Sequence, residues 1–379
     1  MRETVFHDCL LVREDRVEPG TLVVRDGVIA EIEPSPLQTG ASAQQTHPVY
    51  LLPGLVELHT DFLESCLSPR PGVRWDCGAA IAWYDRSLIA AGITTVCAAI
   101  AIREVPGKPV DSTEIASLLQ RFRQPLTANH RVNLRCELAT PTASEVLEEL
   151  LQGAGVGMVS VVSVMDHTPG QRQFQQIEKF DTYYRRRYNL SETALAEYRD
   201  SLLHADREQM AWNRERIAAL AHAHGVCLST HDDTTLAHIA EATKDGARIA
   251  EFPTTLTAAR AAKEAGIKIL MSAPNVVLGG SHSGNLSARC AVNAGVVDIL
   301  SSDYAPHSLL HAAFLLHGEE GIGLPDAIRM VTLHPAAAIG MEGDRGSLAI
   351  GKRADLLTVE VQDHLPRITG VYIAGNRVG

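Results

Sequence analysis

A positive charge excess is missing from these 379 residues: 34 Lys and Arg stand against 45 Asp and Glu, a formal net charge of −11. Phosphate-backbone affinity needs a positive field, so a nucleic-acid partner is excluded. Long apolar runs are missing too. No segment approaches the ~18 residues of a membrane span, and the first residues hold no basic region followed by an apolar stretch, so neither a membrane partner nor a signal peptide is expected. No Cys-x-x-Cys pair occurs among the seven cysteines (9, 66, 77, 97, 136, 227, 290), an odd, scattered set that reads as reduced thiols and a cytoplasmic protein. No Gly-x-Gly-x-x-Gly follows an early strand, which counts against a doubly wound sheet. What is present is 45% hydrophobic residues, enough for a sizeable core, and sixteen histidines.

The middle of the chain repeats one phrase: a helical segment closes at a glycine and an apolar run follows. Gly92, Gly153, Gly225, Gly246, Gly266 and Gly295 each precede such a run. Glycine suits the left-handed position that ends a helix, so each marks a helix-to-strand junction. Asp111-x-x-Glu114 and Thr142-x-x-Glu145 read as capping boxes at helix starts. Adding residues 51–59 and 132–138 to the six runs gives eight strands between about residues 51 and 305. Near-continuous apolar strands alternating with helices predict a parallel sheet, and eight βα units in roughly 250 residues are the size of a (β/α)8 barrel of the TIM type. Short strands near both termini predict a small β-sandwich built from residues 1–50 and 346–379, flanking a barrel over 51–345. Residues 34–48 read as a loop. Residues 168–190, polar and aromatic, read either as a lid or substrate loop after the fourth strand or as part of a solvated helical hairpin, with one long helix to follow from 191 to about 224.

Barrel enzymes carry their chemistry where the strands end. Strand one ends in Glu57-Leu58-His59-Thr60-Asp61, where positions i and i+2 share a side. Strand three ends in Glu137, strand four in Asp166-His167, strand five in His231-Asp232-Asp233 and strand eight in Asp303. Three imidazoles and three carboxylates on one rim predict a metal site: His59, Asp61, Glu137, His167, His231 and Asp303. Such donors suit zinc, manganese or iron, and six of them suit two divalent ions better than one. Asp166, Asp232 and Asp233 read as groups that orient the imidazoles. Cys136 and Cys227 read as buried small hydrophobes.

Pro53-Gly54-x-x-x-x-His59-x-Asp61, His167, His231 and Ser302-Asp303, with Gly346-Ser347-Leu348-x-x-Gly351-Lys352-x-Ala354-Asp355-Leu356, resemble the amidohydrolase superfamily. The resemblance implies a metal-bearing (β/α)8 barrel with a β-sandwich from both termini. Two departures stand out: His-x-Asp replaces the usual His-x-His, and none of the six lysines sits at a strand end, so Glu137 becomes the candidate bridge. Longer motifs, among them residues 134–138, 165–174, 229–233, 250–255, 273–285 and 299–304, closely resemble the family of alpha-D-ribose 1-methylphosphonate 5-triphosphate diphosphatases of the carbon–phosphorus lyase pathway. That resemblance implies hydrolysis of the 5-triphosphate to the 5-phosphate and diphosphate in phosphonate catabolism, and a functional link to the carbon–phosphorus lyase enzymes.

For that chemistry His59, Asp61 and Asp303 are placed on one ion, and His167 and His231 on the other. Asp303 is the expected catalytic proton acceptor. Arg70 and Arg172, in loops after strands one and four, are the expected phosphate ligands, because a guanidinium fork suits phosphate oxygens. Gly280, Ser281 and His282 offer amides and side chains to an anion, and Asn275 lies at the same rim. The run Arg185-Arg186-Arg187 reads as a solvated face or as a lid contact to phosphate. The alternative keeps the metals and cleaves a C–N bond of a cyclic amide; a non-catalytic scaffold would have shed such ligands. A homo-oligomer is compatible with the sequence.

Overall fold

The structure is a computed structural model that describes residues 2–36, 48–70, 72–106, 109–281, 284–362 and 365–379. The loop expected at 34–48 falls largely outside these residues, as does His282.

Four strands open the chain: β1 (Glu3–Val12), β2 (Val17–Arg25), β3 (Val28–Pro34) and β4 (Val49–Pro53). Eight follow with helices between them: β5 (Leu55–Thr60), β6 (Ile93–Ile102), β7 (Asn129–Glu137), β8 (Val159–Met165), β9 (Cys227–His231), β10 (Ile249–Glu251), β11 (Lys268–Ser272) and β12 (Ile299–Ser301). Three close it: β13 (Leu356–Gln362), β14 (Leu365–Ile373) and β15 (Asn376–Arg377). The first and last groups form one sheet in the order β15-β14-β13-β4-β1-β2-β3. It curls on itself, with Ile29 N of β3 donating to Lys352 O ahead of β13, and Phe6 of β1 edge-on to Tyr372 of β14 at 4.8 Å. Strand alternation splits its residues. Leu11, Leu51 and Leu356 fill its own core, while Val12, Leu52 and Leu357 turn to the barrel.

β5 to β12 pair in parallel in chain order, and the seam closes where Thr60 bridges Asp303. This is the expected eight-stranded barrel with a second sheet from both termini. Its floor is apolar, with Val161, Cys227, Ile249, Leu270 and Ile299 packed together. Two residues further along the same strands stand Ser163, Ser229, Glu251, Ser272 and Ser301, a polar layer beneath the rim.

Several local expectations differ. The run at 51–59 is two strands, one in each sheet, broken at Gly54; a Cβ there would lie 2.3 Å from Thr94 Oγ1. Residues 191–224 form two helices, Glu192–Leu203 and Arg207–Ala223. The second starts on Asp206, whose carboxylate accepts from Glu208 N and Gln209 N. Asp111 caps its helix as expected, whereas Thr142 makes no side-chain cap bond. Gly153 has φ −116°, outside the left-handed region, where the other five junction glycines lie.

One buried pair ties the helix Cys77–Ala90 to the start of β7. Asp85 accepts from His130 Nε2 at 2.9 Å, Ala128 N at 2.9 Å and Thr127 N at 3.0 Å. Burial pushes its carboxyl up, but His130 and the two amides outweigh that and hold it at about 2. A depressed carboxyl contributes stability above its unfolded value, near 3.9, and loses it as pH falls through the folded one. Acid titration followed by circular dichroism is therefore expected to show weakening between about pH 4 and pH 2. Asp85→Asn should flatten that limb, and an unchanged acid limb would contradict this reading. Among the described residues no helix is long and apolar enough to cross a membrane.

Candidate active site

At the C-terminal rim the three predicted histidines stand together, His231 between the others, with ring centroids 5.4 Å from His59 and 5.8 Å from His167. Each spends its Nδ1 on a carboxylate. His59 Nδ1 donates to Glu251 at 3.0 Å, His167 Nδ1 to Glu137 at 2.5 Å and His231 Nδ1 to Asp232 at 2.6 Å. The proton is thereby fixed on Nδ1. The Nε2 lone pairs of His59 and His167 are left to ligate, while that of His231 accepts from Arg135 Nη2 at 3.2 Å. A carboxylate behind a histidine is the usual support of a metal ligand. The donor set therefore fits divalent metal.

Local backbone sets these directions. The register of β5 against β6 shifts between Glu57 and Thr60, and His59 Nε2 lies 3.9 Å from Asp61 Oδ1. Such irregularities re-aim side chains beside functional sites. Asp232, Phe252 and Asp303 all have positive φ, 56°, 54° and 54°, just past their strands. Non-glycine residues enter that region at a cost that the surrounding fold must hold in place. Asp303 N donates to His59 O, and Asp61 N to Asp303 O, so the two acids are stitched across the seam.

Glu251 anchors the polar layer. Besides His59 it accepts from Asn133 Nδ2 at 3.0 Å and from Ser163 and Ser229 Oγ at 2.9 Å each. Burial pushes it up, but His59, His231 and Arg135 prevail and hold it near 2, ionised. Glu57, also buried, accepts from Ser301 Oγ and Ser302 N at 2.6 Å; its carboxyl is raised by burial. Asp303 accepts from Ser272 Oγ at 3.0 Å, and burial and the nearby Asp61 raise its carboxyl. Asp61 is pushed up by burial too, yet Arg135 and His59 draw it down to about 2.

The cavity above this floor measures about 420 Å³, within the range of small-molecule sites. It is lined by His59, Asp61, His167, His231, Asp232 and Asp303, and by Asn275, Gly280 and Ser281. Asn275 also pins the next helix, donating to Leu286 O and accepting from Ala288 N. The helix Ile177–Tyr188 roofs it with Tyr183, Tyr184 and Arg187, so the segment at 168–190 reaches the cavity.

Three expected residues lie elsewhere. Glu137 is no bridge in this arrangement: one oxygen accepts from His167 Nδ1, the other from His167 N at 3.1 Å. Arg70 is exposed, in a turn with Val73, and does not line the cavity. Arg172 turns inward, with φ 47°, and donates to Asp233 Oδ1 at 2.5 Å and His231 O at 3.2 Å. It braces the end of β9 from behind. Asp233 is taken up by Arg172 and Thr230, and Asp166 by Thr168 N and Gln171, so of these three acids only Asp232 holds a rim imidazole.

Among the described residues, the arginines that line the cavity are Arg103, Arg135 and Arg187. Arg103 donates to Tyr188 Oη at 2.6 Å, and Arg187 pairs with Glu64. Sequence reasoning gave no role to Glu251, Arg103 or Arg135. Glu251 carried a usable signal: like Glu137, it is a carboxylate ending an apolar strand.

The amidohydrolase family profile matches residues 50–378. Alpha-D-ribose 1-methylphosphonate 5-triphosphate diphosphatase of Escherichia coli (strain K12) is 41% identical over 381 residues, covering 99% of this chain and all of the relative. Among solved structures, a putative prolidase from Bifidobacterium longum superposes with TM-score 0.64 at 18% identity, covering 100% of this chain and 94% of the other. N-acetylglucosamine-6-phosphate deacetylase from Pasteurella multocida gives 0.64 at 12% identity, with both chains fully covered. These likenesses support the fold alone. The family profile and the full-length relative together establish that this chain belongs to the amidohydrolase family, whose enzymes are metal-dependent hydrolases.

Proposed function

We propose that the chain hydrolyses alpha-D-ribose 1-methylphosphonate 5-triphosphate to the 5-phosphate and diphosphate, as a step of phosphonate catabolism. The observation that carries this reading is the pairing of a three-histidine rim with three arginines in one cavity. A cyclic amide does not call for three guanidinium groups around one metal rim; a triphosphate, with about four negative charges, does. The 41% identity to the Escherichia coli diphosphatase supports the same reaction.

His59, Asp61 and Asp303 would hold divalent metal, with zinc as the first candidate and manganese or iron next, and His167 and His231 line the same cavity. Bound there, the metal supplies Lewis acidity, which makes water a better acid and offsets charge on phosphoryl oxygen. The chain's own groups do the rest. Arg103, Arg135 and Arg187 hold the phosphate oxygens, and the tyrosines of the roof limit the entry of bulk water. Asp303 Oδ accepts the proton of the attacking water. As the new P–O bond forms at the α-phosphorus, the bond to the bridging oxygen breaks and that proton passes to diphosphate. Residues 51–345 carry the site, while 1–50 and 346–379 brace it. The enzyme is expected to work in the cytoplasm alongside the carbon–phosphorus lyase enzymes.

Parallel assays of the triphosphate and of a cyclic amide such as dihydroorotate test this reading. Turnover of the triphosphate alone is expected; turnover of the amide alone would overturn it. Arg187→Met should raise the KM for triphosphate about 10- to 100-fold, the value of one hydrogen bond to a charged group at about 1.5–3 kcal/mol. An unchanged KM would remove Arg187 from phosphate binding.

A further inference from the structure

The geometry points to Arg135 as a resident cation that takes the place of a second divalent ion, so that the rim holds one ion per chain. This inference rests on the metal-dependent reading above.

Arg135 rises from β7 into the barrel mouth, with only 10% of its side chain exposed. Its Nη1 donates to Asp61 Oδ1 at 2.8 Å, and its Nη2 to His231 Nε2 at 3.2 Å. His231 has no other lone pair to offer, because its Nδ1 donates to Asp232. An imidazole nitrogen that accepts a hydrogen bond cannot ligate an ion at the same time. Arginine cannot step aside by losing its proton, since it stays charged in proteins. The guanidinium therefore competes directly with any ion at the His167–His231 side of the rim.

The neighbouring donors agree. The carboxylate best placed to bridge two ions, Glu137, has both oxygens turned to His167. On the other side His59 Nε2 is not spent on Glu251, Asp61 keeps its second oxygen, and Asp303 lines the same cavity. One ion has donors there; a second has lost its histidine. A fixed guanidinium also supplies positive charge that does not depend on metal supply, and its planar fork suits the oxygens of a phosphate chain.

The test counts ions. Metal-free protein is titrated with Zn²⁺ and its content measured by inductively coupled plasma mass spectrometry. Co²⁺ absorption serves as the second readout. The wild-type chain should saturate at one ion. Arg135→Met should saturate at two, and adding His231→Ala to it should return the count to one. Arg135→Gln is the reserve variant if the methionine form fails to fold. Two ions in the wild-type chain would overturn the inference, as would a count that stays at one in a folded Arg135 variant. A wild-type chain that binds no ion would instead sink the metal-dependent reading itself.

Discussion

Asp303→Asn is expected to lower kcat/KM by about 10²- to 10⁴-fold, the usual contribution of a positioned proton acceptor. The substitution removes the proton acceptor and weakens one metal ligand, so metal content is measured beside the rate. Asparagine tolerates the left-handed backbone that Asp303 adopts, φ 54°, better than most residues. It also keeps a carbonyl oxygen able to accept from Ser272 Oγ, as Asp303 does at 3.0 Å. The backbone bonds to His59 and Asp61 are untouched. Thermal stability should therefore stay close to wild type while turnover collapses. A folded variant that retains full rate would show that the proton goes elsewhere and would remove Asp303 from the chemistry.

The second large effect falls on the fold. Glu251→Ala strips one buried carboxylate from four partners: His59, Asn133, Ser163 and Ser229. Removing one member of a buried ionic network leaves the others desolvated and unpaired, at a cost of about 3–5 kcal/mol. For a chain of this length that is a fall in Tm of about 4–6 °C. Glu251→Gln separates the two roles of the residue. It nearly keeps the shape, so most stability should survive, but His59 loses the charge that fixes its tautomer. Metal affinity should then fall about 10- to 100-fold, the usual cost of losing such support. Calorimetry and metal titration read the two effects separately. If the alanine form melts with wild type, the polar layer is not what holds the rim.

The barrel was legible because its cause is local. Each helix end, apolar run and strand length is written within a few residues, and a period of two brings His59, His167, His231 and Asp303 to one rim. The histidines' partners are less visible. Glu251 lies 192 residues from His59, and only the closed barrel shows that β10 delivers a carboxylate behind the first strand. Glu137 was legible as a rim acid, but whether it would face a cation or clasp His167 depends on side-chain direction. The arginines show the limit most clearly. Arg172 sits in a loop at the right place for a phosphate ligand, yet a positive φ turns it behind β9, and Asp233 receives it. Arg187, within a run of three that resembles a solvated face, reaches the cavity because Phe180 and Tyr184 bury one side of its helix. Loop position tells which end of the barrel a residue occupies, and packing decides which way it points.

The central claim is that water, activated at this rim, attacks the α-phosphorus of a ribosyl triphosphate. Phosphorus NMR of the metal-loaded protein with alpha-D-ribose 1-methylphosphonate 5-triphosphate in ¹⁸O-water tests it most directly. The account predicts one diphosphate for each ribosyl 5-phosphate, with the heavy oxygen in the 5-phosphate. Stepwise release of orthophosphate, label in the diphosphate, or no cleavage would contradict it.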